Sequence, residues 1–198
     1  MRLDEALSQV KVLKRQVVLV QRFRCYRWNM VALTGAVGIL GAVNQQRFVG
    51  DARHHVMEYV SYWIVLAAIA LTVVGSEILA KYVFVSSAYE RRQTRTAILQ
   101  FAPCLTVGAA MTLGIVTACP EHAELLPAMW AMCFSLGLFA SCTQLPRAMF
   151  AVAAFYLVAG VVLLRVATDT SSFTPWAMGI TFGGGQWLTA VVLWTDRS

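Results

Sequence analysis

Charge is scarce in this chain. Only 13% of its residues are Asp, Glu, Lys or Arg, and the 10 acidic residues are outnumbered by 16 basic ones. Histidine is rarer still: His54, His55 and His122 are the full set, and all three lie outside the apolar stretches. A haem held between two buried imidazoles is thereby excluded. The cysteines Cys25, Cys104, Cys119, Cys133 and Cys142 never fall as Cys-x-x-Cys. That spacing excludes a zinc ribbon and a disulfide framework, and the five read as small packing residues. No nucleophile is paired with a base. The run Gly183–Gly185 is not a phosphate loop, because no strand precedes it and no Gly-Lys-Ser follows. No cofactor is expected. The only plentiful commodity is hydrophobicity.

Of the 198 residues 59% are hydrophobic, and the mean hydropathy is +0.64. A soluble domain runs at about 45–50% apolar. A hydrocarbon core about 30 Å thick takes roughly 20 helical residues to cross. Apolar stretches of about that length recur near 29–48, 60–81, 98–119, 125–142, 147–166 and 173–194. Their connections are short, so neighbouring helices are expected as antiparallel hairpins. The expected fold is all-α: a domain over 29–198 that bundles six transmembrane helices.

Charge orients the bundle. With the N-terminus inside, the inner side holds Arg2, Lys11, Lys14, Arg15, Arg22, Arg24, Arg27, Lys81, Arg91, Arg92, Arg95, Arg147 and Arg197. The outer side keeps only Arg47, Arg53 and Arg165. This is the positive-inside bias. It also retains the first stretch as a span, since dropping it would put the basic N-terminal segment outside. The net charge of +6 is then accounted for by topology and anionic headgroups, and nucleic acid is not called for as a partner. The opening segment is polar and charged, so a cleavable signal peptide is not expected. The expected location is an inner membrane, with both termini cytoplasmic.

Residues 1–28 read as a cytoplasmic amphipathic helix. Leu3, Ala6, Val10, Leu13, Val17 and Val20 repeat at 3–4 residue spacing. Phe23, Tyr26 and Trp28 mark the headgroup level. Such a helix lies on the inner leaflet or pairs with a partner helix. The repeat is short of three heptads, which favours the membrane surface. The lipid bilayer is thus the first partner, with a homo-oligomer or a partner membrane protein as the second. The segment Glu90–Arg95 reads as an interfacial helix start whose arginines reach phosphates. All five prolines (Pro103, Pro120, Pro127, Pro146 and Pro175) are expected at or near span ends, where the missing N–H costs nothing.

Small residues mark the places where helices can approach. Gly35, Gly38 and Gly41 lie in the first span, Gly108 and Ala109 in the third, Gly137 and Ser141 in the fourth. In lipid such residues let backbones meet, either within one bundle or across a dimer face on the first span. Gly183-Gly184-Gly185-Gln186, mid-way along the sixth span, is the most unusual local feature. Three glycines weaken a helix by up to about 1 kcal/mol each relative to Ala. Two expectations follow. Either the glycines admit a neighbouring helix and Gln186 bonds across to it, or the helix breaks there to form a small-solute or lipid site, as in transporters. Glu77 is the only carboxylate inside an apolar span and joins that candidate site, although Lys81 one turn on can satisfy it. On the outer side, His54 and Glu58 would share a helix face, and His122 comes from another loop. Imidazole and carboxylate suit a divalent metal, but no ligand motif is present.

Several strings carry a resemblance. They are Arg91-Arg92-x-Thr94-Arg95-x3-Leu99-Gln100-Phe101-Ala102-Pro103, Leu125-Leu126-Pro127-x-Met129-Trp130-Ala131, Leu145-Pro146-Arg147 with Phe155-Tyr156-Leu157-x-Ala159-Gly160, and Pro175-Trp176-Ala177-Met178-Gly179-x2-Phe182-Gly183-x-Gly185-Gln186. Covering roughly the second half of the chain, they resemble a family of bacterial multi-span membrane proteins of unknown function. The resemblance implies a bacterial inner membrane and brings no catalytic residues. The function expected is that of a non-enzymatic membrane component, an accessory subunit or small oligomer; a small-solute or lipid transporter is the alternative.

Overall fold

A computed structural model describes residues 28–52, 54–84, 88–142, 145–169 and 173–196. The expected amphipathic helix over 1–28 lies outside the described residues except for its last position. What is described is helical, with no strand among the described residues. Six long helical segments follow one another: α1 (Trp28–Val49), α2 (Val56–Phe84), α3 (Ala88–Ala118), α4 (Leu126–Ser141), α5 (Met149–Asp169), and α6, which occupies 175–195. A 3₁₀ turn, Pro120–Leu125, leads into α4.

Four of these stretches, Val56–Phe84, Thr94–Ala118, Pro120–Ser141 and Met149–Ala167, are long and apolar enough to cross a membrane by length and composition. The expected spans in α1 and α6 fall short of that mark for local reasons. The last third of α1 carries Asn44, Gln45, Gln46 and Arg47, and the winding of α6 changes along Gly179–Gly184. These two polar-flecked helices lie against each other; of the more apolar four, α2 and α3 are mostly exposed, whereas half of α4 is buried.

Consecutive helices pack as antiparallel hairpins. In α4 and α5 the Ser135 hydroxyl donates to the Ala153 carbonyl at 2.7 Å, and Gly160 lets the α5 backbone meet Ala128 and Met132. In α3 and α4 the Trp130 indole N–H donates to Thr112 Oγ1 at 2.8 Å, and Gly137 receives the Phe101 ring. Helix α1 runs antiparallel to α6: Gly35 and Gly38 meet Gly183, and Ala42 meets Gly179. Helix α2 is buried along its first turns, at Tyr59, Val60 and Trp63. Beyond Trp63 its large side chains, Ile64, Val65, Ile69, Leu71 and Leu79, are exposed. A helix apolar all round is at home in hydrocarbon.

Exposed hydroxyls on these helices are satisfied internally. Thr72, Thr106 and Thr117 each donate to the carbonyl four residues earlier, Ala68, Ala102 and Leu113, at 2.7, 3.0 and 2.7 Å. Back-bonding of this kind is what a solvent without hydrogen bonds demands.

The prolines need one correction. Pro120 opens the 3₁₀ turn, Pro127 lies in the first turn of α4 and Pro175 in the first turn of α6. Pro103, however, lies inside α3. The helix begins at Ala88, before the apolar stretch, because the Glu90–Arg95 segment is itself helical. There Arg91 donates to the Val83 carbonyl at 3.4 Å and stacks 5.4 Å from the Tyr82 ring, tying the end of α2 to the start of α3.

Candidate functional site

The glycine run in α6 does not break the helix. Pro175–Met178 is α-helical, Gly179–Gly184 winds as a π turn, and Gly185–Thr195 resumes the α form. A π turn widens the coil and shifts the faces of the residues beyond it, and such turns recur at functional sites. Here it brings alternate glycines against two different helices. A Cβ on Gly183 would stand 2.6 Å from Ile39 Cγ1 and 3.2 Å from the Gly35 carbonyl oxygen of α1. A Cβ on Gly185 would run into the Tyr156 ring and hydroxyl of α5. Gly184 between them has nothing within 4 Å. Close approach thus occupies two of the three.

The polar groups at this depth converge on the same crossing. Thr34, buried in α1, donates to the Val31 carbonyl at 2.7 Å, and its Oγ1 lies 3.4 Å from Gln186 Oε1. The Thr189 hydroxyl donates to the Gly185 carbonyl at 2.8 Å. The Trp187 indole N–H donates across to the Ala32 carbonyl at 3.1 Å, over the space that Gly35 leaves open. Tyr156 is fully buried. Its hydroxyl is turned toward Gln186 and meets no hydrogen-bond partner of good geometry. A buried polar group in that condition costs about 1–3 kcal/mol. Tyr156→Phe is therefore expected to leave thermal unfolding in detergent unchanged or slightly raised; a marked fall would mean the hydroxyl is held.

The other expected site residues do not gather here. Glu77 is half-buried on α2, whereas the contacts of the glycine segment lie on α1 and α5. The Lys81 side chain lies outside the described residues. His54 precedes α2 and pairs with Asp51, Nε2 to Oδ2 at 3.7 Å. It is His55, not His54, that reaches Glu58, Nδ1 to Oε1 at 3.2 Å. The reason is register: α2 starts at Val56, so the i,i+3 face runs from 55 to 58. His122 sits in the 3₁₀ turn. Among the described residues no three of His, Cys, Asp or Glu are placed to hold a metal ion.

One structural centre escapes the sequence. Gln45 is 2% exposed; its Nε2 donates to the Phe173 carbonyl at 2.8 Å, and its Oε1 accepts from Trp63 Nε1 at 3.1 Å. One amide therefore links α1, α2 and the approach to α6. Around it Tyr59, Trp63, Ala123, Leu126, Phe173 and Met178 form a core, with Tyr59 and Phe173 ring centroids 4.7 Å apart. Nearby, Tyr62 donates to the Gly41 carbonyl at 2.7 Å. Gln45, Gln46, Gly50, Asp51, Ala52, Phe173, Thr174 and Pro175 rim an open cavity of about 460 Å³ above this core. The available signal was a Gln placed in the last turns of an otherwise apolar span.

Fold and site together define an all-helical protein with four helices apolar enough for a membrane, held by buried polar links at two levels. Comparison of the chain with protein-family models, curated proteins and solved structures finds no match.

Proposed function

We propose that this chain is a non-enzymatic integral component of a bacterial inner membrane. It crosses the bilayer six times with both termini cytoplasmic, and acts as an accessory subunit or small homo-oligomer. The observation that carries the reading is the division of labour among its polar groups. Gln45, Trp63, Ser135, Trp130 and Trp187 spend their hydrogen bonds joining helices. Exposed Thr72, Thr106 and Thr117 spend theirs on their own helix. Such a molecule is a scaffold whose outer surface is suited to lipid or to another membrane protein. The topology half of the reading has a direct test. With the other cysteines replaced, an impermeant maleimide applied to intact cells is expected to label Cys119, on the outer side, and to spare Cys25. Labelling of Cys25 from outside overturns the orientation.

A second reading, a small-solute or lipid transporter, is favoured by the π turn beside Tyr156 and Gln186. Thermal unfolding in detergent separates the two: stabilisation by a solute supports the transporter, and none across a broad panel supports the scaffold.

A further inference from the structure

The start of α3 gathers positive charge that no described carboxylate neutralises. Arg91, Arg92 and Arg95 all stand exposed there. Residues three and four apart on a helix share a face, so Arg95 stands one turn on from both of the others. Arg91 is held in place: its guanidinium donates to the Val83 carbonyl and lies 5.4 Å over the Tyr82 ring. Val83 is in the last turn of α2, where carbonyls lack partners within their own helix. That bond uses a single N–H and leaves the rest of the donor fork available. The Arg92 and Arg95 side chains pair with no carboxylate among the described residues. Like charges one turn apart destabilise a helix. The arrangement is therefore costly unless an anion joins it.

What lies beside the charge identifies the anion. One turn on from Arg95 the same face becomes apolar and stays open, with Ile98 47% and Leu99 60% exposed. Farther along that face, Thr106 keeps its hydroxyl on its own helix. At the end of α2, Val83 is exposed and Phe84 is 83% exposed. A cationic turn thus runs straight into an apolar stripe. Free phosphate or an acidic peptide would answer the first part and leave the second uncovered. An acidic head on a hydrocarbon tail answers both.

We infer that Arg91, Arg92 and Arg95, with Ile98 and Leu99, hold an acidic phospholipid, its phosphate among the guanidiniums and an acyl chain along α3. The inference rests on the reading of this chain as an integral membrane protein. Basic pockets at the ends of membrane helices take such headgroups, and the planar guanidinium fork matches phosphate oxygens in pairs. Arg91, fixed by Val83 and Tyr82, is the preorganised member of the set. Because Arg91 also touches the last turn of α2, a lipid seated here braces α2 against α3.

The test uses the full chain, extracted and purified in detergent, with bound lipid titrated and counted by native mass spectrometry. Phosphatidylglycerol is the probe. Phosphatidylcholine with the same acyl chains is the zwitterionic control, and inorganic phosphate is the head without a tail. About one phosphatidylglycerol per chain is expected, preferred over phosphatidylcholine by at least roughly tenfold and not displaced by inorganic phosphate. Arg92→Gln and Arg95→Gln are each expected to weaken retention about fivefold, the effect of one basic residue near an anionic surface. Both positions are exposed, so folding is not at stake. Arg47→Gln, in the last turn of α1, leaves retention unchanged. Equal retention of the two lipids overturns the site. So does retention that survives Arg92→Gln and Arg95→Gln together, or that Arg47→Gln reduces equally. Displacement by inorganic phosphate overturns the lipid in favour of a soluble anion. A chain recovered without detergent overturns the membrane reading itself, whereas a chain that needs detergent but ignores lipid charge overturns this inference alone.

Discussion

Gly185→Leu is expected to abolish accumulation of folded protein, whereas Gly184→Leu, one residue away, folds. The difference lies in what each position faces. Gly185 lies against the ring and hydroxyl of Tyr156, which has no exposed surface and no room to retreat. Gly184 faces open space. Overpacking a tight core costs about 1–3 kcal/mol for a methylene or so and more for a branched side chain. Alanine gives the graded version. Gly185→Ala and Gly183→Ala are expected to lower the unfolding temperature in detergent. The helix propensity of Ala returns at most about 1 kcal/mol, which does not offset a clash of that size. Gly184→Ala meets no clash and gains the propensity, so it should be neutral or stabilising. A uniform response of the three positions would show that the π turn itself, rather than close approach to α1 and α5, is what the glycines serve. Ligand-binding assays on folded Gly184→Leu then address the transporter reading separately, because packing is intact in that variant.

The helices were legible in the sequence because their signal is cumulative. A run of apolar residues as long as Val56–Phe84 has one physical home, and small errors at its ends do not alter that. Boundaries were read less well for a reason that Pro103 illustrates. Hydropathy finds the apolar part of a helix, while α3 begins in the charged segment before it. The glycine run was legible as a special place, but its form was not. Propensity alone cannot choose between a broken helix and a packed one, since the choice depends on whether Ile39, Gly35 and Tyr156 stand opposite. The pairing of His55 with Glu58 turned on a single residue of helix register. The meeting of Cys133 with Met111 was invisible for a different reason: it arises only through the antiparallel packing of α3 on α4, and no spacing rule encodes a facing helix.

Gln45→Leu is the second substitution with a large expected effect, and it acts by orphaning partners instead of by overfilling. Leucine removes the acceptor of Trp63 Nε1 and the donor to the Phe173 carbonyl. Each group left without a partner in a buried setting costs about 1–3 kcal/mol. Water is not a ready substitute, because Gln45 is almost wholly buried. The loss should therefore exceed that of Trp63→Phe, which leaves the Phe173 bond in place and keeps most of the aromatic packing against Tyr59 and Tyr62. In the double variant the two changes are expected to be less than additive, with a coupling of about 0.5–3 kcal/mol, because the second substitution removes a donor that the first has already orphaned. Strict additivity in thermal or denaturant unfolding in detergent would mean that the amide does not join α1 to α2. The consequence for architecture follows from where α2 is attached. Its last two-thirds are mostly exposed, so the first turns that Gln45 secures are its main anchorage, and Gln45→Leu should release α2 before it loosens the α3–α4–α5 packing. Protease sensitivity rising first in the segment joining α1 and α2 is the readout of that order.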